Sequence, residues 1–434
     1  MAEFSETQHS RRFARLHTFV SERRELAGAY LTAISGSAGR LVFSLLYFVA
    51  LANALTIAEF GLFATASAAG VMLSRILAFG FVSAVYRAAT VRPRLIGVFT
   101  AGFLFLSALS LPVLAIASWL TFAIFFAGEM PASAFAAVVF AEALLWRPTE
   151  LAVIVNNGMG RFGRAAILVI LGTVLRAAAA VAFIFMPERT LAVWVWLYIA
   201  ANAAALIIAI AFFYPRYPRV PLKLKIHVYW ARLPDSLYVA GAEVLFYLQM
   251  ELDKLLVLAL GGPKLAGIYA IIMRLVDLTA IPIRTFTMML VQRLMRAPEM
   301  LSRLAVKTGI EAGVFIVSTI ALLALALILY VYPTLLGDNV AEAAPLIGLA
   351  LFIPGLRNLV EYQAELLFAR GQTFVRAVNL ALLAGLKAAL LTWLLGRTLD
   401  VPDLVLSLNW VFALLYLASA VLTYIALRRP AKTF

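Results

Sequence analysis

The segment FYLQMELDKLLVLAL, Phe246–Leu260, is apolar enough to lie in hydrocarbon, yet Glu251, Asp253 and Lys254 arrive together at its centre. A charge at mid-bilayer costs about 2.5–3.5 kcal/mol even on the mildest scale. Such groups persist where they pair with one another or line a wet cavity, and there they can hold an anion, a cation or a proton. The pattern recurs along the chain. Ten lysines or arginines and nine acids fall inside apolar stretches, too many to face lipid.

Helical spacing sorts them. Glu243, Tyr247, Met250 and Lys254 follow one face at steps of three and four, with Glu251 beside that stripe and Asp253 turned away. Arg274 and Asp277 stand one turn apart on the next apolar stretch, at a depth similar to Asp253 and Lys254, so the four could form one cluster. Arg147 with Glu150 and Arg357 with Glu361 have the spacing of structural ion pairs, as do Lys307 and Glu311. Arg357, Glu361 and Glu365 make a stripe. Arg284, Glu365 and Lys307 are close enough to stretch ends to snorkel to headgroups. Arg40, Arg176 and Lys387 sit near mid-stretch with no acid one turn away, which favours a cavity role; Arg75 is intermediate.

The candidate cavity cations are therefore Arg40, Arg75, Arg147, Arg176, Arg274, Arg357 and Lys387. The candidate coupling acids, for H+ or Na+, are Glu243, Glu251, Asp253, Asp277 and Glu361. The first six stretches carry four cations against two acids, Glu142 and Glu150; the last six carry six against seven. An anionic substrate group would prefer the first half or the boundary between halves, and a coupling ion the acids of the second.

The elements that position these groups follow from composition. The chain has 434 residues, 64% hydrophobic and 13% charged, with mean hydropathy +0.97. A soluble chain is about half apolar and a quarter charged, so this is an all-α polytopic membrane protein. With roughly 20 apolar residues per crossing, twelve spans are expected, at about 27–54, 60–85, 94–125, 133–157, 164–186, 190–213, 235–260, 265–290, 304–331, 342–368, 374–396 and 403–427. Pro112, Pro148, Pro282 and Pro354 mark expected kinks. There is no cysteine, so disulfides and thiolate metal sites are excluded. His9, His17 and His227 lie outside apolar runs, and no metal site is expected.

Of the 36 lysines and arginines, 23 fall in alternate connectors that include both termini and three, Arg189, Lys264 and Arg397, in the others. The bias puts both termini in the cytoplasm. It also accounts for most of the net charge of +14 as topology, leaving no support for nucleic-acid binding. The expected division is a basic arm at 1–26, a six-helix bundle at 27–213, a linker at 214–232, a second six-helix bundle at 233–427 and a tail at 428–434.

The halves share weak internal symmetry. LRAAAAVAF after GRFGR is answered by LKAALLTWL after GQTFVR, LWRPTE by LRNLVE, and AEFGLF by KLAGIY. A duplicated transporter has this signature. ANALTIAEFGLF, then RILAFGFVSAVYR, resembles the opening of Wzx-type flippases of the multidrug/oligosaccharidyl-lipid/polysaccharide (MOP) superfamily. ELDKLLVLALGGPKLAGIYAIIMRLVDL resembles that family's seventh and eighth helices, and GQTFVRAVNLAL its eleventh. The resemblance implies a MATE-like fold, two six-helix bundles forming a V around a central cavity, with alternating access. It implies a polyprenyl-diphosphate-linked oligosaccharide as cargo, an O-antigen or exopolysaccharide repeat unit carried between leaflets of a bacterial inner membrane. Polysaccharide polymerase or assembly proteins would be partners. Relatives that flip the peptidoglycan precursor carry two further helices, which disfavours that role. Mid-span arginines suit a diphosphate, a compact anion open to bidentate hydrogen bonds.

Two alternatives stand. An ion-coupled multidrug or cation exporter of the same superfamily would favour an acid-lined cavity. A membrane enzyme acting on lipid-linked sugars would usually need a sizeable outer loop, whereas AGEMPAS, PERT, GGPK and GRTLDVPD are short. No phosphate loop is present, and no cofactor is expected.

Overall fold

The computed structural model describes residues 39–215, 223–296, 304–397 and 400–428. The arm at 1–26, the beginning of the first expected span, part of the linker and most of the tail lie outside the described residues. No strand occurs among the described residues. The helices are α1 (Gly39–Ala54), α2 (Ile57–Leu73), α3 (Val82–Val91), α4 (Ile96–Phe125), α5 (Ala132–Phe140), α6 (Arg147–Gly158) and α7 (Phe162–Ile184). They continue with α8 (Leu191–Ile208), α9 (Ile226–Arg296), α10 (Leu304–Val331), α11 (Asp338–Ile347), α12 (Ile353–Ala369), α13 (Thr373–Leu395) and α14 (Val401–Leu427).

Eight described helices are long and apolar enough to cross a membrane, nine if α11 and α12, bent by 66°, form one broken span. The bend lies where Pro354 enters the first turn of α12. α9 has 71 residues, about 105 Å if straight, far beyond a hydrocarbon core of about 30 Å. Gly262, at φ 77°, interrupts it. The Tyr269 hydroxyl donates to Asp253 at 2.6 Å, and residues sixteen apart on one straight helix would be about 24 Å apart. The two arms of α9 therefore run back along each other, as the seventh and eighth expected spans require.

Two expected spans are broken in ways the sequence did not announce. Beyond α2, Ser74–Gly80 forms a tighter 3₁₀ stretch with Ala78 at φ 54° and Phe79 at φ 50°. Left-handed backbone costs a non-glycine residue about 1–2 kcal/mol. The Ser110 hydroxyl accepts the Ala78 N–H at 2.9 Å, which satisfies a donor freed by the break. Between α5 and α6 the helix widens into a π stretch, Ala141–Trp146, ending just before Pro148. A proline has no N–H to give and its ring crowds the carbonyl four residues back; the wider turn accommodates both.

The halves meet through glycine. A Cβ on Gly267 would lie 2.0 Å from the Ile57 carbonyl oxygen, and one on Gly61 would lie 2.4 Å from the Gly267 nitrogen. α2 and the second arm of α9 thus cross backbone to backbone, as small residues allow in membranes. These are the glycines of AEFGLF and KLAGIY, so the matched repeats touch each other. Gly267→Leu is expected to destroy the crossing: monodisperse protein should be lost on size exclusion in detergent, and a variant that elutes and melts like wild type would refute the contact.

Near this crossing, on the face away from the basic connectors, Asn53 donates to the Leu336 carbonyl at 2.7 Å, and Asn339 donates to those of Ala52 and Leu55 at 2.7 and 2.8 Å. On the basic face, Gly80 lies against Ser236 and Ala240 at the start of α9, and Tyr229 donates to the Val98 carbonyl at 2.8 Å.

Candidate anion-binding cavity

A cavity of about 240 Å³ lies between α1, α2 and both arms of α9. Tyr47 and Ser67 line it from the first half, and Glu251, Lys254, Arg274 and Asp277 from the second. The ion pairs around it decide what charge remains for a ligand. Lys254 is held by Glu251, three residues before it. Asp277 is held by Arg284 at 3.0 Å and Arg357 at 3.4 Å. Arg284 also grips Glu361 in bidentate fashion, at 2.9 and 2.8 Å.

Arg274 is left without a carboxylate partner among the described residues; it donates to the Ser44 hydroxyl at 2.5 Å. Arg274 and Asp277, one turn apart, do not form an ion pair, and neither does the expected Arg357–Glu361 pair. Spacing along one helix placed each pair on one face, but Arg284 lies between Asp277 and Glu361 and takes both, and Arg357 turns to Asp277. Lys307 and Glu311 do not pair either. Lys307 stands over the Tyr424 ring at 5.4 Å, and Glu311 accepts from Gln363, Tyr416 and Tyr424.

The first half supplies Arg176, near the middle of α7. Its guanidinium stacks over the Trp146 ring at 4.4 Å, and Nε donates to the Gly172 carbonyl at 3.2 Å. A Cβ on Gly172 would come within 2.5 Å of that ring, so the glycine makes room for the platform. Below it, Glu142 on the π stretch is 2% exposed. One of its oxygens accepts from Ser67 at 2.6 Å and Tyr198 at 2.5 Å; the other has no partner. Glu142 is one of the in-span acids but not one of the candidate coupling acids. Its spacing of four from Trp146 was the available signal.

Arg40, at the start of the described part of α1, is exposed and lies in the electrostatic field of Arg176, Arg274 and Arg284. Tyr47, on the cavity wall, lies in the electrostatic field of Arg176, Arg274 and Glu142. Arg40, Arg176 and Arg274, on α1, α7 and α9, are near enough to feel one another's charge, and none joins an ion pair among the described residues.

The other candidate cations are neutralised. Arg75 and Arg147 form a quartet with Glu150 and Glu243, with contacts of 2.9 Å (Arg75–Glu150), 2.7 Å (Arg147–Glu150) and 2.8 Å (Arg147–Glu243). Tyr247 lies under Arg75 at 4.3 Å. Lys387 is buried against Asp253 at 3.5 Å, with both side chains 1% exposed, and donates to the Gln249 carbonyl at 2.5 Å. Lys387, with no acid one turn away on its own helix, thus has its carboxylate partner on another. Arg176 and Lys387 each stand fourteen residues into a 23-residue helix (176 − 162 and 387 − 373). The repeat thus sets a cation at the same position in both halves and neutralises one of them directly. All five candidate coupling acids, Glu243, Glu251, Asp253, Asp277 and Glu361, are likewise ion-paired.

The quartet spans the seam, since Glu243 belongs to α9 and its partners to the first half. Glu243→Gln should loosen the basic face. With no native cysteine, maleimide labelling of Ala240→Cys reads this directly: a several-fold faster rate is expected in the Glu243→Gln background, and an unchanged rate would contradict the seam role.

No family model and no curated protein matches the chain. Solved structures do. An inward-facing multidrug resistance MATE family transporter of the MOP superfamily aligns with TM-score 0.66 and 11% identity, over 90% of this chain and 94% of that one. A MOP superfamily transporter from Pyrococcus furiosus, described as having a binding pocket of reversed polarity, aligns with TM-score 0.60 and 13% identity, over 91% and 92%. A MATE protein in complex with MaL6 aligns with TM-score 0.58 and 12% identity, over 92% and 95%. The chain has the all-α fold of MATE transporters in the MOP superfamily.

Proposed function

We propose that this chain is a flippase that moves a polyprenyl-diphosphate-linked oligosaccharide from the inner to the outer leaflet of a bacterial inner membrane, both termini facing the cytoplasm. The observation that carries the reading is Arg274 on the wall of a cavity between the halves, free of a carboxylate partner among the described residues, with Arg40 and Arg176 near enough to feel its charge. A diphosphate satisfies such a group by charge and by bidentate hydrogen bonds. Pockets for drug-sized ligands run to about 300–1,000 Å³, so a cavity of about 240 Å³ suits a headgroup rather than a glycan. The seam must part to load the sugars, while the prenyl chain stays in lipid. A polysaccharide polymerase would receive the product, and H+ or Na+ would drive the cycle. Glu142, buried with an unpartnered oxygen beside Arg176, joins the candidate acids for that coupling.

A cation exporter of the same fold is the second reading, favoured by Glu251 and Asp277 at the cavity wall. Both acids are already paired, which weakens it. Reconstitution in liposomes separates the two. Flipping of a fluorescent polyprenyl-diphosphate sugar without uptake of ethidium is expected; ethidium transport without flipping would replace the flippase by the exporter.

A further inference from the structure

The basic face carries a second concavity. A groove of about 760 Å³ opens between α3, the start of α4 and the start of α9. Arg87, Arg92 and Arg232 line it against one acid, Asp235. All four side chains are exposed, and none joins an ion pair among the described residues. Arg92 is placed there by the break between α3 and Pro93, and Arg232 by the second turn of α9. The rest of the wall is largely apolar, including Val91, Phe99 and Val239. Exposed Tyr238 lines the groove, and exposed Tyr86 and Trp230 stand on the same helices, α3 and α9; such aromatic residues concentrate at headgroup level.

A net positive groove with an apolar wall at that level matches a phosphate whose hydrocarbon chain remains in the bilayer. Its position adds a direction. Tyr238 and Val239 also line an adjoining cavity of about 270 Å³ that reaches Glu243, the second-half member of the quartet on the seam. The groove therefore leads from the membrane surface to the contact that must open for loading.

We infer that this groove docks the phosphorylated headgroup of a lipid in the leaflet on the basic face. The inference deepens the flippase reading and rests on it only where that headgroup is the cargo's diphosphate; a bilayer phospholipid has the same chemistry. Photoactivatable phosphatidylglycerol and a photoactivatable prenyl diphosphate, each supplied to the full chain in phosphatidylcholine nanodiscs, distinguish the sources. Crosslinks are expected in the peptides spanning 83–99 and 228–239. They should fall at least tenfold in Arg87→Gln/Arg92→Gln/Arg232→Gln and persist in Arg94→Gln. Labelling by the prenyl probe identifies cargo docking, and labelling by phosphatidylglycerol alone identifies a bilayer lipid; either supports the site. Equal labelling of the triple variant, or none in wild type, overturns it. Should the triple variant not fold, Arg232→Glu gives the same reading. Labelling that survives Arg176→Gln/Arg274→Gln separates this groove from the central cavity.

Discussion

Replacing Arg176 and Arg274 together by glutamine is expected to leave a folded protein that no longer flips a polyprenyl-diphosphate sugar. A hydrogen bond to a charged group contributes about 1.5–3 kcal/mol net. Two lost together, if independent, amount to about 3–6 kcal/mol, or roughly 10²–10⁴-fold in affinity. Stability should fall only modestly: neither arginine forms an ion pair among the described residues, but Arg176 feels the charge of Glu142 and stacks on Trp146, and Arg274 feels that of Asp277. Arg40→Gln should cost less, under about tenfold, since Arg40 does not line the cavity. The initial flipping rate in liposomes, read beside the melting temperature, checks both parts. A double variant that flips within threefold of wild type would remove the arginines from the mechanism.

The second large effect is on stability. Asp253→Asn strands the Lys387 ammonium in a site where both side chains are 1% exposed. Breaking a buried pair by removing one partner costs about 3–5 kcal/mol. Replacing the whole group with apolar residues is often neutral or favourable. Asp253→Leu/Lys387→Met/Tyr269→Phe therefore should recover most of the loss; Tyr269 is included because its hydroxyl would otherwise lose its acceptor. Chemical unfolding in detergent gives the comparison. A single variant as stable as wild type would contradict the structural assignment, as would a triple variant no better than the single. Retained flipping in the triple variant would separate Lys387 from its repeat counterpart Arg176.

What the sequence revealed follows the range of the interactions involved. Apolar stretches of bilayer length are local, and each of the twelve expected spans overlaps a described helix, although α9 had to be divided at Gly262. The repeat match AEFGLF and KLAGIY marked two glycines whose mutual contact only the fold shows. The 3₁₀ break at Ser74–Gly80 is not readable in the sequence because Ala78 and Phe79 give no warning of positive φ. Pro148 suggested a kink, and the helix instead widened before it.

The site was legible to the same depth. Arg147 and Glu150, three apart on one helix, do pair. Of the four residues expected to cluster, Lys254, Arg274 and Asp277 share one cavity, joined there by Glu251, whereas Asp253 faces Lys387 instead. Pairings between helices were not readable: Asp253 finds Lys387 on α13, and Glu361 on α12 finds Arg284 on α9. Those distant choices decide which cations remain for a ligand. They pair Lys387 and leave Arg274, already a candidate cavity cation, without a carboxylate partner among the described residues.

The most direct measurement is cryo-electron microscopy of the protein in nanodiscs with a bound prenyl diphosphate. Phosphate density is predicted between the halves, about 2.7–2.9 Å from the guanidinium nitrogens of Arg176 and Arg274. Both guanidinium groups resting on carboxylates, with the diphosphate bound elsewhere, would contradict the account.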